Sequence, residues 1–487
     1  MHALLKVFSM LMLSVVVPLN GTAQTLELPN IGDYSQQYLS QDTERRLGLA
    51  ILQRIRDRGL VIDDVQLNEY LASVGQRIAA YAEQTSQPYT FFWIDAATIN
   101  AFATPGGFIG VNSGLFLATR NEGELAGVMA HEIAHVSQRH IARAIADAKR
   151  LALPIAAALV ASAVLAAASD SDAGQAALAG TMAVGAQRQI NFTRANEQEA
   201  DRVGYQLLAQ AGFDGNSMAD FFARLQRLSG GVSDQAPDYL LTHPRPTSRM
   251  ADTQNRSSAI PSASSVLPRD KTAYFLAKAR MLVMTTTNTG VLLQHFKKTL
   301  QTGDYEHADA ERYGYTLALK RAGHYDDALV QIARLRKSDS DRLAYRIEEA
   351  EILLAKGERE RAWRMFEDAK GLYPDDYTLA IHYGRALTTQ GDPRAATTLL
   401  QPHLRRRIND ASLYALYAQA AQRAGDAVAT HVTLAEYYYL NNQLDAAIEQ
   451  VELGLKNPTV TPYQQAQLRA RLKQLRQQQQ TEEQRFQ

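Results

Sequence analysis

Two histidines four residues apart bracket a glutamate in the segment MAHEIAHVSQRH, residues 129–140. Residues i and i+4 lie on one face of an α-helix, so His131 and His135 can direct ring nitrogens at a single metal ion. Glu132 lies beside the first histidine, where it can take a proton from a water on that ion. The pattern predicts a zinc-dependent hydrolase of peptide bonds, and the alternative is a pair of ordinary core histidines.

A catalytic zinc ion needs a third protein ligand and an open fourth position. The segment NEQEADRVGYQLLAQAG has a helical pattern. Glu197 lies at the start of its apolar face, whereas Glu199 lies on another face. A carboxylate aimed at the core is costly unless a cation meets it, and zinc would do so. Asp201, one turn on, could accept the free N–H of a ligand histidine. The alternative is a solvated, acidic start of a helix.

Two further histidines need an interpretation. His140 lies five residues after His135, and on a continuous helix it would point away from the metal. His243 lies in the segment LTHPRPTSR, where it could stabilise the oxyanion of the tetrahedral intermediate or occupy the fourth position on zinc and hold the enzyme latent. A plain turn is the third possibility. Arg249 could anchor the far end of that loop.

The predicted elements around these residues are mostly helical. Residues 40–88 show helical periodicity, and it returns from Glu122 to about Lys149. Between them, an aromatic and β-branched stretch is broken by Pro105-Gly106-Gly107, which predicts two or three short strands with a hairpin turn. We therefore expect a mainly α zincin-type metallopeptidase domain with a small β-hairpin or sheet.

The first residues, MHALLKVFSMLMLSVVVPLNGTAQ, predict a signal peptide over 1–23 and a mature chain in the periplasm. The apolar run is too short for a stable membrane anchor, although a retained anchor is the alternative. Disulfides and thiol catalysis are excluded because the chain has no cysteine. The 51 basic and 51 acidic residues balance, so nothing indicates a nucleic-acid partner.

An alanine-rich stretch over 151–190 allows two interpretations. Its first 18 residues are apolar and long enough for a transmembrane helix, which would make the protein a membrane-inserted protease. A single crossing would separate His135 from Glu197, and the second half of the stretch carries several polar residues. We favour a buried helical hairpin with possible peripheral membrane contact.

Beyond a Ser- and Pro-rich linker, a repeat fills the C-terminal part of the chain. Glycines recur every 34 residues, the period of a helix-turn-helix solenoid, at Gly323, Gly357, Gly391 and Gly425. A small residue follows five positions later in three of the units, at Ala328, Ala362 and Ala396, and Thr430 replaces it in the fourth. The pattern resembles tetratricopeptide repeats. A turn signal at Asn442 indicates a slip of the repeat register after the fourth glycine.

These patterns divide the chain into five segments. They are a signal peptide (1–23), a zinc metallopeptidase domain (24–255), a linker (256–270), a solenoid of repeats (271–471) and a polar tail (472–487). The tail is expected to be a solvated capping helix or disordered.

HEIAH at 131–135, followed by EQEAD at 197–201, resembles the metallopeptidase family of the CAAX prenyl proteases and their soluble bacterial relatives. The resemblance implies one Zn²⁺ per subunit, Glu197 as its third ligand and Asp201 as the partner of a ligand histidine. It also implies that His243 and Arg249 lie near the metal.

The order of leader, peptidase domain and repeats resembles exported members of that family. This implies unfolded or stalled outer-membrane protein precursors as substrates, and the barrel-assembly machinery as a partner of the repeats. It also implies chaperone-like help for clients that can still fold and degradation of the others. The rival is a non-catalytic repeat scaffold with a structural metal, which would have no need of Glu132 beside an open coordination position.

Overall fold

The computed structural model describes residues 39–82, 88–149, 193–229, 239, 243 and 270–486. The predicted signal peptide, the stretch 151–190 and Arg249 lie outside the described residues. Within those residues, no helix is long and apolar enough to cross a bilayer.

The N-terminal domain begins with two helices, a sheet and two further helices. These elements are α1 (Gln41–Asp57), α2 (Val65–Ala79), β1 (Thr90–Ile94), β2 (Ala101–Thr104), β3 (Phe108–Asn112), α3 (Ser113–Ala118) and α4 (Glu122–Ser137). Residues 140–149 and 193–210 are also helical and are named α5 and α6. They are followed by α7 (Asn216–Ser229).

The three strands confirm the predicted hairpin and add a parallel neighbour. β3 is the central strand, with β2 antiparallel on one side and β1 parallel on the other. Gly106 and Gly107 form the hairpin turn with φ angles of 77° and 83°, which side chains with a Cβ disfavour. A Cβ at Gly106 would also lie 2.5 Å from the Arg45 Cα.

Helix α4 runs through the centre of this domain. Asn121 caps its first turn by accepting a hydrogen bond from the Glu124 backbone N–H, and every residue from Glu124 to Ala134 is buried. Gly127 removes a side chain where α7 approaches, because a Cβ there would lie 2.8 Å from the Met218 Cβ. The metal-ligand pattern therefore lies on a helix that is fixed on all sides.

The C-terminal half is a series of helix pairs. Their helices are α8 (Lys271–Thr285), α9 (Thr289–Thr302), α10 (Ala308–Arg321), α11 (Tyr325–Ser338), α12 (Leu343–Lys356), α13 (Arg359–Leu372), α14 (Tyr377–Gln390), α15 (Pro393–Arg406), α16 (Ala411–Ala424), α17 (Ala427–Leu440), α18 (Leu444–Lys456) and α19 (Pro462–Phe486). Gly323, Gly357 and Gly425 make the turns within pairs at φ angles of 79°, 92° and 81°. Ala328, Ala362 and Ala396 are fully buried where the helices touch.

The predicted register slip after Gly425 is wrong. The turn at Asn442 lies between α17 and α18, at the place where earlier repeats pass from one pair to the next. Thr430, which replaces the small alanine, fits because its hydroxyl donates to the Asp426 carbonyl at 2.7 Å. Beyond 472 the chain continues α19 as a helix, and Leu475 is fully buried against the last pair, so the tail is not purely polar.

The first helices of the pairs face α2 of the N-terminal domain. Arg280 on α8 pairs with Asp64, the N-cap of α2, at 2.7 Å, and it also pairs with Glu348 on α12. Further along, Arg407 pairs with Glu69 at 2.6 Å. This part of the repeat face is therefore covered by the protein's own helix.

Candidate metal centre and active site

Helix α4 brings the two histidines of the motif to one point, as the i, i+4 spacing predicts. The Nε2 atoms of His131 and His135 lie 3.0 Å apart. The His131 ring is fully buried, and 11% of the His135 side chain is exposed. Both rings present the same type of nitrogen to a shared space.

Helix α6 supplies the two predicted carboxylates. Glu197 places Oε1 at 3.3 Å from His135 Nε2 and Oε2 at 3.5 Å from His131 Nε2. Asp201 lies behind His131, with Oδ1 at 3.0 Å from the Nδ1 of that ring. Gly204 allows this approach, because a Cβ at that position would lie 3.1 Å from the backbone of α4 at Ala130.

His243 adds a third imidazole to the cluster. Its Nδ1 lies 3.1 Å from Glu197 Oε1 and 3.3 Å from His131 Nε2. One ligand atom from each of His131, His135, Glu197 and His243 lies within 4.8 Å of all the others. His243 thus supplies the fourth of these ligand atoms, and a catalytic metal has one position beyond its three protein ligands.

Glu132 is the buried carboxylate beside this cluster. It is 1% exposed and accepts a hydrogen bond from the Ala103 backbone on β2. His243 Nε2 and the Tyr239 hydroxyl both lie 3.5 Å from its Oε1. Burial raises the pKa of Glu132, and the nearby imidazoles of His243 and His131 oppose that rise. A carboxylate with a raised pKa is a better proton acceptor than an ordinary glutamate.

The charges of the cluster are arranged for a cation. Burial disfavours the protonated form of His131, but hydrogen bonds to Asp201 and Glu197 outweigh it and raise the pKa to about 9. Burial lowers the pKa of His135 to about 4. Although burial acts in the opposite direction, hydrogen bonds to the three histidines hold the pKa of Glu197 far below its usual range. Glu132, Glu197 and Asp201 are all buried around this space, and a bound cation would offset their negative charge.

The side chains present fit a divalent metal ion. Two imidazole nitrogens and one carboxylate are the donor set of many catalytic zinc sites, with a fourth position left for water, substrate or another side chain. Asp201 behind His131 matches the carboxylates that orient ligand histidines in such sites. The burial of Glu197 is explained by a cation at this point, which would offset the cost of removing its charge from water.

The sequence placed His140 on the same helix as His135, and this part of the interpretation is wrong. Helix α4 ends at Ser137, and Arg139 adopts a φ angle of 52°, so the chain turns before α5 begins. This turn brings His140 Nδ1 to 2.9 Å from His135 Nδ1, on the side away from the metal position. A continuous helix was predicted over this stretch, and no local residue type signals the break.

Tyr239 is the second side chain of the site that sequence reasoning missed. It is fully buried, its ring stacks on His243 at 4.7 Å between centroids, and its hydroxyl faces Glu132. The backbone N–H of His243 donates to the Tyr239 carbonyl at 2.9 Å, which ties the two residues together. The spacing of four residues between Tyr239 and His243 was the feature of the sequence that could have indicated this contact.

Comparison with known proteins agrees with this geometry. Residues 65–257 match peptidase family M48. The chain is 33% identical over 450 residues to the beta-barrel assembly-enhancing protease of Escherichia coli K12, covering 92% of this chain and 91% of that protein. It is 34% identical over 425 residues to a putative protein of the same name from Vibrio cholerae, covering 87% of each.

More distant similarity is confined to part of the chain. The mitochondrial metalloendopeptidase OMA1 of Schizosaccharomyces pombe is 32% identical over 181 residues, which cover 37% of this chain and 50% of that protein. Among solved structures, yeast Tom70 aligns with 74% of this chain and 86% of its own at 12% identity and a TM-score of 0.30, which is too low to inform the fold.

Proposed function

This chain belongs to the M48 family of metallopeptidases, and we propose that it is an exported zinc endopeptidase acting on misfolded or stalled outer-membrane barrel precursors. Its similarity to the beta-barrel assembly-enhancing proteases extends over most of both chains. The observation that carries the catalytic part is the meeting of four ligand atoms within 4.8 Å beside the buried Glu132.

In this proposal, His131, His135 and Glu197 hold one Zn²⁺ per subunit. When bound, the ion acts as a Lewis acid that makes a water acidic and polarises the peptide carbonyl. Asp201 accepts the Nδ1–H of His131 and so keeps its Nε2 free for coordination. Glu132 takes the proton of the attacking water and passes it to the leaving amine.

His243 has two possible roles, and its position favours the restraining one. Its Nδ1 lies in the ligand cluster, where it would compete with water for the fourth position. Stacking on Tyr239 fixes the ring in that place. Arg249 is proposed to anchor the far end of the same loop.

The remaining parts of the proposal concern location and partners. The signal peptide over 1–23 would deliver the mature chain to the periplasm, where the precursors of outer-membrane proteins pass. The 34-residue helix pairs are proposed to be tetratricopeptide repeats that bind the barrel-assembly machinery through surfaces not covered by α2. A peptidase domain over 24–255 and a solenoid over 271–471 remain the proposed division.

Removal and return of the metal tests the catalytic part. The mature full-length protein should cleave an unfolded outer-membrane protein, lose that activity on dialysis against a chelator and regain it with one equivalent of Zn²⁺ per chain. The same protein treated in parallel without chelator is the control. Cleavage that continues after the metal has been removed, as verified by elemental analysis, would contradict the proposal.

A further inference from the structure

The ring of His140 lies between a metal-ligand histidine and a carboxylate. Its Nδ1 is 2.9 Å from His135 Nδ1, and its Nε2 is 3.2 Å from Glu199 Oε2. The same Glu199 oxygen accepts a hydrogen bond from Arg143 at 2.7 Å. His140 is 3% exposed, whereas 28% of the Glu199 side chain is exposed at the outer end of this line.

The chemistry of an imidazole gives these contacts a direction. His135 presents Nε2 to the metal cluster, so its Nδ1 carries the hydrogen when Nε2 coordinates. That hydrogen can only be donated to His140 Nδ1, which must then be the bare nitrogen of its ring. His140 therefore carries its hydrogen on Nε2 and donates it to Glu199. The tautomer of each ring is thus fixed by its neighbours, and Glu199 accepts from both His140 and Arg143.

A turn of the backbone at Arg139 brings His140 next to His135. Arg139 holds a left-handed φ of 52°, which is unfavourable for a residue with a Cβ. Its guanidinium donates to the Leu39 carbonyl at 3.1 Å and pairs with Glu44 on α1. These contacts with another helix stabilise the turn that places His140 behind His135.

The two ligand histidines thus have different supports. His131 is backed directly by the carboxylate of Asp201. His135 is backed by a neutral imidazole, with the carboxylate of Glu199 one step further away. Removing such supports from ligand histidines costs metal affinity, because the ring then loses its orientation and its preferred tautomer.

We propose that His140 is a positioning residue for the metal centre, which accepts the Nδ1–H of His135 and is itself held by Glu199 and Arg143. The proposal rests on the metal site described under the proposed function. His140 would orient His135 as Asp201 orients His131, and Glu199 would belong to the site because it holds His140.

The test measures zinc affinity of the full-length mature protein by competition with a chromophoric chelator. His140→Ala should weaken zinc binding about 10- to 100-fold. His140→Asn should recover most of that loss, because the Asn side-chain oxygen lies where Nδ1 was and can still accept from His135. His140→Gln should recover little, although it fills more space, because its amide lies near the former Nε2. The exposed His324 in the repeats provides a control, His324→Ala, with unchanged affinity.

The outcomes separate this proposal from the one before it. Thermal unfolding of the metal-free variants checks that they fold, and if His140→Ala does not, the comparison of His140→Asn with His140→Gln decides. Equal affinity of these two variants, or wild-type affinity in His140→Ala, overturns the positioning role alone. Failure of the wild-type protein to bind zinc overturns the metal site itself.

Discussion

At the scale of single residues, His243 lies where it could keep the site open or closed, and we propose that it restrains the site. Its Nδ1 lies in the same small space as the ligand atoms of α4 and α6, and its Nε2 faces Glu132. A group in this place either competes with water for the metal or donates to the oxyanion that forms in the reaction. The first role would restrain cleavage, which suits a peptidase that encounters unfolded proteins still able to fold.

Substitution of His243 by alanine separates the two roles. We expect His243→Ala to cleave an unfolded protein faster than the wild type at equal zinc occupancy, because the fourth position becomes open to water. The measurement is the initial rate of substrate loss, with His324→Ala as the control. A loss of activity on the order of a hundredfold would instead identify His243 as an oxyanion donor.

At the scale of elements, the site depends on how closely α6 approaches α4. Gly204 lies against the backbone at Ala130 and His131, and a Cβ there would already be 3.1 Å from the nearest atoms. This contact fixes the distance from Glu197 and Asp201 to the histidines. The helix faces therefore position the ligands as much as the ligand types do.

Gly204→Val should push the two helices apart. We expect overpacking to lower the stability of the metal-free protein by about 1–3 kcal/mol and to weaken zinc binding as well. Gly371→Val is the matched control, because Gly371 lies in an exposed part of α13 with no atom within 4 Å of the added Cβ. Chemical unfolding measures the stability, and zinc titration measures the affinity. If Gly204→Val matched its control in both, the close approach of α6 to α4 would not be required for the site.

The elements also show where prediction from sequence ends. The i, i+4 spacing and the apolar stripe place His131, His135 and Glu197 because each pattern is local to one helix. The break at Arg139 is set by contacts with α1, nearly 100 residues away, so the position of His140 could not be predicted. Tyr239 was missed because a lone tyrosine four residues before a histidine does not by itself predict any chemistry.

At the scale of the whole molecule, buried charges join the repeats to the peptidase domain. Arg280 on α8 binds the cap residue of α2 and Glu348 on α12, two helix pairs further along, and it is 9% exposed. Such a pair is costly to break because it leaves unpaired charge away from water. The helix pairs and their period were predictable from recurring glycines. Their contact with α2 was not, because it depends on single residues more than 200 positions apart.

The most direct test of the account is a parallel measurement of cleavage and zinc content in Glu132→Gln. Glu132 is expected to move a proton without binding the metal, so this variant should lose cleavage of an unfolded protein by about 10²- to 10⁴-fold while keeping one zinc ion per chain. His135→Ala, which removes a ligand, should lose both. Cleavage at the wild-type rate by Glu132→Gln, or a loss of zinc equal to that of His135→Ala, would contradict the assignment of this site as a metallopeptidase centre.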